Sequence, residues 1–426
     1  MYDNLSPWDA VIQYYGKECP GQAMKSEDFY YQKLWIFLGI ALGIRLILST
    51  LVYGYPSDMG CFSGWSEHLL RVGFSRFYSG EIFADYPPGY MYVLAGIGAL
   101  RRALNLPFDS SIYLALLKMP ALLADILLAF LLYQVGKRAS GRWVSFLVAL
   151  AFALNPAVIL NSALWGQIDS FFLLPLAGGV FLLSARRVEW SVVCWVLAFL
   201  IKPQALIFAP LWLFALVEQK SFWLFLKSTL LGIGTFMLGI MPFANIRTII
   251  GIYRGTMGSY PYATLNAFNL FAFLGGNWVS DTRKLFLFSY RGWGYLALLL
   301  IVFLAAFFFF RMKTQEKFYL VASFLSFSVF LFSHRMHERY LFPALFFFLL
   351  WYLFDPQKEI LILYAGLSGT FFINVGLVLL FVLLYEVYHV PRWNLWLLFV
   401  SALNCILWGF LLWQIIKKLK SEGATE

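Results

Sequence analysis

The amino-acid sequence predicts an all-α, polytopic membrane protein, and three observations carry that prediction. Of the 426 residues, 61% are hydrophobic and 20% aromatic, while only 13% are charged. A soluble domain carries about a quarter charged residues, so this chain lacks the charge to cover a water-facing globule of its length. The second observation is a series of apolar runs of about 20 residues, the length a helix needs to cross a ~30 Å hydrocarbon core. The third is the placement of the cations. The formal net charge is +10, yet no single basic patch offers itself to nucleic acid. Lys137-Arg138 with Arg142, Arg186-Arg187, Arg311 with Lys313, and Lys417-Lys418 with Lys420 stand between apolar runs, the distribution of cytoplasmic loops.

Charge also decides how the chain threads. The first span runs from about Leu34 to Tyr53 and contains Arg45. A polar stretch follows, then apolar runs at Gly89–Leu104 and Ile112–Val135. If all three cross the membrane, every later basic cluster falls outside. Gly89–Leu104 is short, glycine-rich and ends in Arg101-Arg102. Laid in the outer interface instead, it puts all the later basic loops inside. The remaining spans then alternate: Trp143–Leu160, Ser170–Ser184, Trp190–Ile201, Ala205–Val217, Phe222–Met241, Leu285–Phe310, Phe318–Phe332, Tyr340–Phe354, Ile360–Tyr385 and Leu395–Ile416. The expectation is about twelve transmembrane helices, both termini inside, with interfacial helices in the first outer loop. The two spans flanking Lys202-Pro203 are too short to cross unaided. Proline frees backbone carbonyls, which a membrane tolerates only against protein or a water-filled cavity, so this broken hairpin marks a site. Residues 1–33 mix both charges without an apolar core and read as a cytoplasmic lead-in rather than a signal peptide. Cys19, Cys61, Cys194 and Cys405 lack metal-ligand spacing. Only Cys61 falls in an outer loop, so no structural disulfide is expected.

In this topology the unusual polar residues gather at the outer face. The first outer loop, 54–111, holds Asp58, Glu67, His68 and Asp85. Trp165, Gln167 and Asp169 follow the third span, and Lys202 and Gln204 sit at the broken hairpin. The loop from Phe243 to Lys284 carries Tyr260-Pro261-Tyr262 and Asn266, and the ninth span ends in His334-Arg335-Met336-His337-Glu338-Arg339. Lys118 and Asp125 share one helix face in the outer half of the second span. Ionisable groups at membrane depth are costly and usually functional. Together these describe a membrane-embedded cavity open to the outside.

Such a cavity suits transfer of a group from a lipid carrier, whose tail lies in the bilayer and whose phosphate sits at the interface. No nucleotide sugar is available outside, so a lipid-phosphate sugar is the natural donor. A carboxylate must take the acceptor's proton, and cations must stabilise the leaving phosphate. Each residue also has a plain structural reading. Asp58 can cap a helix near Cys61, Asp85 can open the Pro-Pro turn, and Asp169 can cap the fourth span. Lys202 and Arg45 can snorkel or pair structurally. The order His-x-x-His-Glu fits neither zinc-protease signature, and Arg335 and Arg339 would repel a cation, so the segment is read as binding lipid phosphate rather than metal.

Ser57-Asp58, Trp65, Gly73, Phe77-Tyr78 and Asp85-Tyr86-Pro87-Pro88-Gly89 resemble the first outer loop of C-superfamily (GT-C) glycosyltransferases. Asn155-Pro156, Trp165-Gly166-Gln167-Ile168-Asp169, Lys202-Pro203-Gln204 and His334 to Tyr340 extend the resemblance over roughly Arg45 to Leu341. Their order is similar to that in bacterial relatives of the mannosyltransferase that adds the second mannose in GPI-anchor synthesis. The Asp-Tyr-Pro-Pro piece also resembles the lumenal glucosyltransferases of the Asn-glycan pathway. The resemblance implies a GT-C fold and inverting transfer of a hexose, mannose favoured, from a polyprenyl-phosphate donor, with Asp58 as base and a juxtamembrane helix after the first-loop motif. One departure is Gly60, where metal-dependent members carry the second acid of an Asp-x-Asp pair. A monophosphate leaving group can be stabilised by Arg and Lys alone, so no metal or other cofactor is expected.

The site then comprises Asp58 and Asp85 as catalytic carboxylates, and Lys202, His334, Arg335, His337 and Arg339 around the donor phosphate. Trp165, Gln167, Asp169, Gln204, Glu338 and Tyr262 contact substrate. The expected organisation is a cytoplasmic segment 1–33, a catalytic transmembrane module 34–354, a transmembrane hairpin 355–416 and a cytoplasmic tail 417–426. The expected location is the cell membrane, with the active site on the non-cytoplasmic face. The acceptor is a glycan, a lipid-linked glycan or a protein hydroxyl. A transporter or flippase of lipid-linked sugars is the alternative. Such proteins place their site at the midplane between repeated halves, whereas this sequence shows no internal repeat.

Overall fold

The computed structural model describes residues 23–243 and 246–424; Cys19 and most of the expected segment 1–33 lie outside them. Helix α1 (Ala23–Leu51) is followed by α2 (Pro56–Val72) and α3 (Pro88–Ala103) in the first outer loop, and then by α4 (Ser111–Ala139). Helix α5 (Arg142–Ala153) breaks before Pro156. The chain resumes as α6 (Pro156–Ile159) and a π-helical turn, Leu160–Trp165, after a bend of 41°. Helices α7 (Asp169–Ser184) and α8 (Val188–Ile201) pack together, and a 3₁₀ turn at Pro203–Phe208 leads into α9 (Ala209–Gln219) and α10 (Phe222–Ile240). The next loop contains α11 (Ile246–Gly258) and one-turn α12 (Leu270–Phe273). The chain ends in α13 (Tyr290–Arg311), α14 (Lys317–Phe332), α15 (Phe342–Phe354), α16 (Lys358–Tyr385) and α17 (Leu395–Ala424).

The protein is an all-α membrane protein in which every one of the expected apolar segments contains helix, though their lengths differ. Among the described residues, six helices are long and apolar enough to cross a membrane, or seven if the bent α5–α6 pair counts as one span. Helices α7, α8, α14 and α15 are apolar but only 16, 14, 16 and 13 residues long, or roughly 20–24 Å at 1.5 Å per residue. Helices α14 and α15 are buried along almost their whole length. Surrounded by protein rather than lipid, they need not match the full hydrocarbon thickness.

The helix ends separate into two sets. At one end Ser140 bonds the carbonyl of Leu353 and Lys418 bridges Glu316 and Asp355, while Lys317 meets Glu218 at 2.5 Å. The basic clusters at 137–142, 186–187, 311–313 and 417–420 stand at this end. At the other end Lys118 Nζ donates to the carbonyls of Ser49, Val52 and Ala163, and Lys202 reaches Gln167 and Asp169.

Helix α3 packs on α2 and meets the second set of helix ends. A Cβ on Gly89 at its start would lie 2.6 Å from the carbonyl of Leu200, and Tyr92 bonds that of Gly239. At its finish Arg101 pairs with Glu67 and stacks on Phe108 beside Tyr113. The helix therefore lies across the ends of α8, α10 and α4 rather than running between the two sets.

Two expectations change. Lys118 and Asp125 belong to the bundle interior and not to the outer cavity: Asp125 is fully buried, paired with Arg45 at 2.8 Å and bonded by Ser162 and Ser170. The reason is solvation, because a carboxylate at that depth needs a cation and donors around it. Helix α13 starts at Tyr290 rather than Leu285, because Lys284–Leu285 (β2) and Phe288–Ser289 (β3) form a small antiparallel hairpin. A second strand pair, Thr264–Leu265 (β1) parallel to Met336–His337 (β4), ties the α11–α13 connection to the His334–Arg339 segment.

Candidate active site

The chain leaves α1 through Gly54, whose φ of 103° and proximity to Trp165 exclude a side chain: a Cβ would lie 2.5 Å from the Trp165 carbonyl. The Tyr55 amide donates to that carbonyl at 2.9 Å, and the Tyr55 and Trp165 rings stack at 4.4 Å. Pro56 then opens α2, placing Asp58 in its first turn. Asp58 makes no cap. Its Oδ2 accepts from Trp165 Nε1 at 2.7 Å and Gln167 Nε2 at 2.6 Å, and no donor among the described residues reaches Oδ1. Gln167 Oε1 in turn accepts from Lys202 Nζ at 2.9 Å, and Lys202 donates to Asp169 Oδ1 at 2.6 Å. The π-helical turn and the broken hairpin thus fasten the carboxylate from two directions. Pi-turns of this kind recur at functional sites.

Asp58 opens into a cavity of about 400 Å³, lined also by Asp85, Lys202, Gln204, His334, Arg335, His337 and Arg339. Leu206 and Tyr295 line it too, at 41% and 54% exposure, giving it an apolar mouth beside the 3₁₀ turn and the start of α13. Arg339 Nη1 donates to Glu338 Oε1 at 2.6 Å, while its buried Nε has no partner. Arg335, at φ 61°, is held by Asp281 through Nε at 2.8 Å and Nη2 at 2.7 Å. A recess of about 10 Å³ behind Arg339 and Gln204 reaches Asp169.

Burial raises the Asp85 carboxyl above its ordinary range; nearby Asp58 adds to this and the hydrogen bond from Tyr260 at 3.2 Å opposes it. Burial raises Glu338 as well, against the pull of Arg339. Burial and Arg335 push His334 down to about 4, and burial, Arg339 and Lys202 hold His337 well below the usual histidine range. Burial lowers Lys202 too, against the pull of Asp169, so the fixed cations of the cavity are Arg339 and Arg335. Among the described residues no three His, Cys, Asp or Glu side chains converge as a metal site.

No protein-family model matches the chain, and no curated protein matches it. The site therefore stands on its geometry, which sorts the sequence-derived candidates into three groups. Asp58, Asp85, Lys202, Gln204, His334, Arg335, His337 and Arg339 line the cavity. Trp165, Gln167 and Glu338 lie behind its wall, holding the residues that do, and Asp169 lines only the recess. Tyr262 does not line the cavity: its ring packs on Trp278 at 5.1 Å. The cause is a tight three-residue turn at Pro261, closed by the Tyr262 amide on the Tyr260 carbonyl at 2.8 Å, which leaves Tyr260 on the cavity. Sequence reasoning missed Tyr260, Cys61, Trp65 and Thr256 in the wall and Asp281 behind Arg335. Tyr260 shared a motif that was singled out; Asp281 carried no local signal.

Proposed function

We propose that this chain is a glycosyltransferase that moves a hexose from a polyprenyl-phosphate carrier to an acceptor hydroxyl on the non-cytoplasmic side of a cell membrane. One observation carries the reading: a carboxylate oxygen without a donor and a buried guanidinium with an unpartnered Nε face one cavity whose mouth is apolar. The carrier's tail enters past Leu206 and Tyr295 and its phosphate meets Arg339. The acceptor hydroxyl gives its proton to Asp58 Oδ1 while its oxygen attacks the anomeric carbon. The bond from that carbon to the phosphate oxygen breaks with inversion, and the lipid monophosphate leaves with one more negative charge. Arg339 stays protonated at any working pH and stabilises that charge where it develops. Asp85, which accepts from the Tyr260 hydroxyl at 3.2 Å, positions the acceptor with Tyr260. The wider reading includes the GT-C fold, about twelve passes with the basic ends cytoplasmic, and mannose as the favoured sugar.

The purified chain in lipid nanodiscs, given a radiolabelled polyprenyl monophosphate hexose and a panel of glycan, lipid-linked glycan and peptide acceptors, tests this. Transfer from the lipid donor and none from a nucleotide hexose is the expected result. Movement of the intact lipid-linked sugar across the bilayer, without bond cleavage, would replace the proposal with a flippase.

A further inference from the structure

Outside the cavity, a second recess of about 400 Å³ lies where the α16–α17 connection meets the loop before α13, lined by Asn277, Trp278, Val390, Pro391, His389 and Arg392. Its floor is unusually fixed. Asn277 is fully buried, receives the Asn266 amide on its Oδ1 and donates from Nδ2 to the Val390 carbonyl at 2.7 Å. Trp278 adopts φ 55°, a conformation that bulky residues avoid, and its indole N–H is spent on Asn266 Oδ1 at 3.0 Å. With that N–H engaged, the half-buried ring presents apolar surface to the recess. Strain of this kind persists only where the surroundings enforce it and often marks function. Beside the ring stand two polar groups. His389 lies edge-on at 6.3 Å, and the exposed Arg392 uses Nε on the Asn277 carbonyl at 3.1 Å, leaving both Nη groups without hydrogen bonds among the described residues.

An aromatic platform with rigid, unspent donors around it is the surface chemistry of carbohydrate recognition. The ring packs against the C–H face of a sugar, and the fixed N–H groups take its hydroxyls. The recess is also continuous with the cavity wall. Tyr388, next to His389, contacts Tyr55 edge-on at 5.9 Å, and Tyr55 stacks on the Trp165 that holds Asp58. Asn266 fastens the same wall, accepting from the Val390 amide and bridging to His337.

We propose that the Trp278–His389–Arg392 recess is a carbohydrate-binding subsite that holds sugar residues of an oligosaccharide acceptor remote from the reacting hydroxyl. This rests on the transferase reading for its role, but not for its binding. The test is titration of the full chain in nanodiscs, without donor lipid, with linear mannose and glucose hexasaccharides, read by calorimetry and saturation-transfer NMR. At least one hexasaccharide should bind. Trp278→Ala and Arg392→Gln should each weaken that binding about tenfold or more, as loss of an aromatic or arginine anchor does. Trp278→Phe, which keeps the ring, should retain most of it and so separates recognition from local unfolding. In transfer assays the same variants should raise the KM for a hexasaccharide acceptor and leave kcat with a monosaccharide acceptor unchanged. Binding without any transfer would sink the transferase reading and spare the subsite. No binding by either hexasaccharide, or binding unaffected by Trp278→Ala and Arg392→Gln, would overturn the subsite.

Discussion

The Arg339–Glu338 pair allows catalysis to be separated from folding. The two side chains are 12% and 4% exposed and meet at 2.6 Å. Removing the guanidinium alone strands a buried carboxylate, and breaking a buried pair costs about 3–5 kcal/mol, enough to unfold many proteins. Arg339→Ala would therefore lose activity whatever the role of Arg339. The double variant Arg339→Met/Glu338→Leu removes both charges with little change in volume, and hydrophobic replacement of a buried pair is often tolerated. If Arg339 meets the leaving phosphate, the double variant should keep its melting transition within a few degrees yet lose turnover by about 10²–10³, the loss of one preorganised donor. Arg335→Gln should behave in the opposite way. Its guanidinium is committed to fully buried Asp281, so stability should fall by about 1–3 kcal/mol while turnover of the folded fraction changes less. Intrinsic tryptophan melting and steady-state transfer read the two effects separately. Wild-type turnover in the double variant would remove Arg339 from the mechanism and leave Lys202 as the phosphate ligand.

Three further outcomes are expected. In a background lacking Cys61, an Arg102→Cys thiol at the end of α3 should react with an impermeant reagent from outside, and an Arg138→Cys thiol should not; the reverse labelling would invert the threading. Asp85 is raised by burial, so its contribution to stability is full below the unfolded carboxylate pKa and is lost as pH rises through the folded value. Asp85→Asn should accordingly raise the melting temperature at pH 7 relative to wild type and lose that advantage by pH 4; an equal effect at both pH values would contradict the burial argument. Cys61 lines the cavity with its thiol pushed up to about 11 by burial and the two nearby aspartates. Maleimide should therefore inactivate slowly at pH 7 and faster at pH 9, and donor lipid should protect; full activity after complete Cys61 alkylation would place the substrate elsewhere.

Much of the architecture was legible because apolar runs and basic clusters report directly on solvation. The arginines that end Gly89–Leu104 separated a helix lying across the bundle from one running through it. Lys202-Pro203 marked the broken hairpin because proline cannot continue a helix. Legibility failed where pairing across long sequence separations decides placement. Arg45 and Asp125 are 80 residues apart, and neither residue type alone distinguishes a structural buried pair from a cavity wall. Helix α11 was hidden inside a nominal loop, since Arg247, Gly251, Arg254 and Gly255 break its apolar run in sequence although they share one exposed face of the helix; its Thr256 hydroxyl bonds the Asp85 carbonyl at 2.6 Å. Tyr260 and Tyr262 were indistinguishable until the turn at Pro261 set them apart.

The measurement closest to the central claim is single-turnover release of polyprenyl phosphate from a polyprenyl monophosphate hexose, with acceptor and excess EDTA, by wild type and Asp58→Asn. Asparagine keeps the size of the side chain, and its Oδ1 can still accept from Trp165 and Gln167, but the group cannot take up the acceptor's proton. Wild type should turn over in EDTA. Asp58→Asn should bind donor and keep its fold, with turnover slower by ~10²-fold or more, the range of a lost general base. Equal turnover by the two proteins, or wild-type activity that disappears in EDTA and returns with magnesium or manganese, would contradict the account.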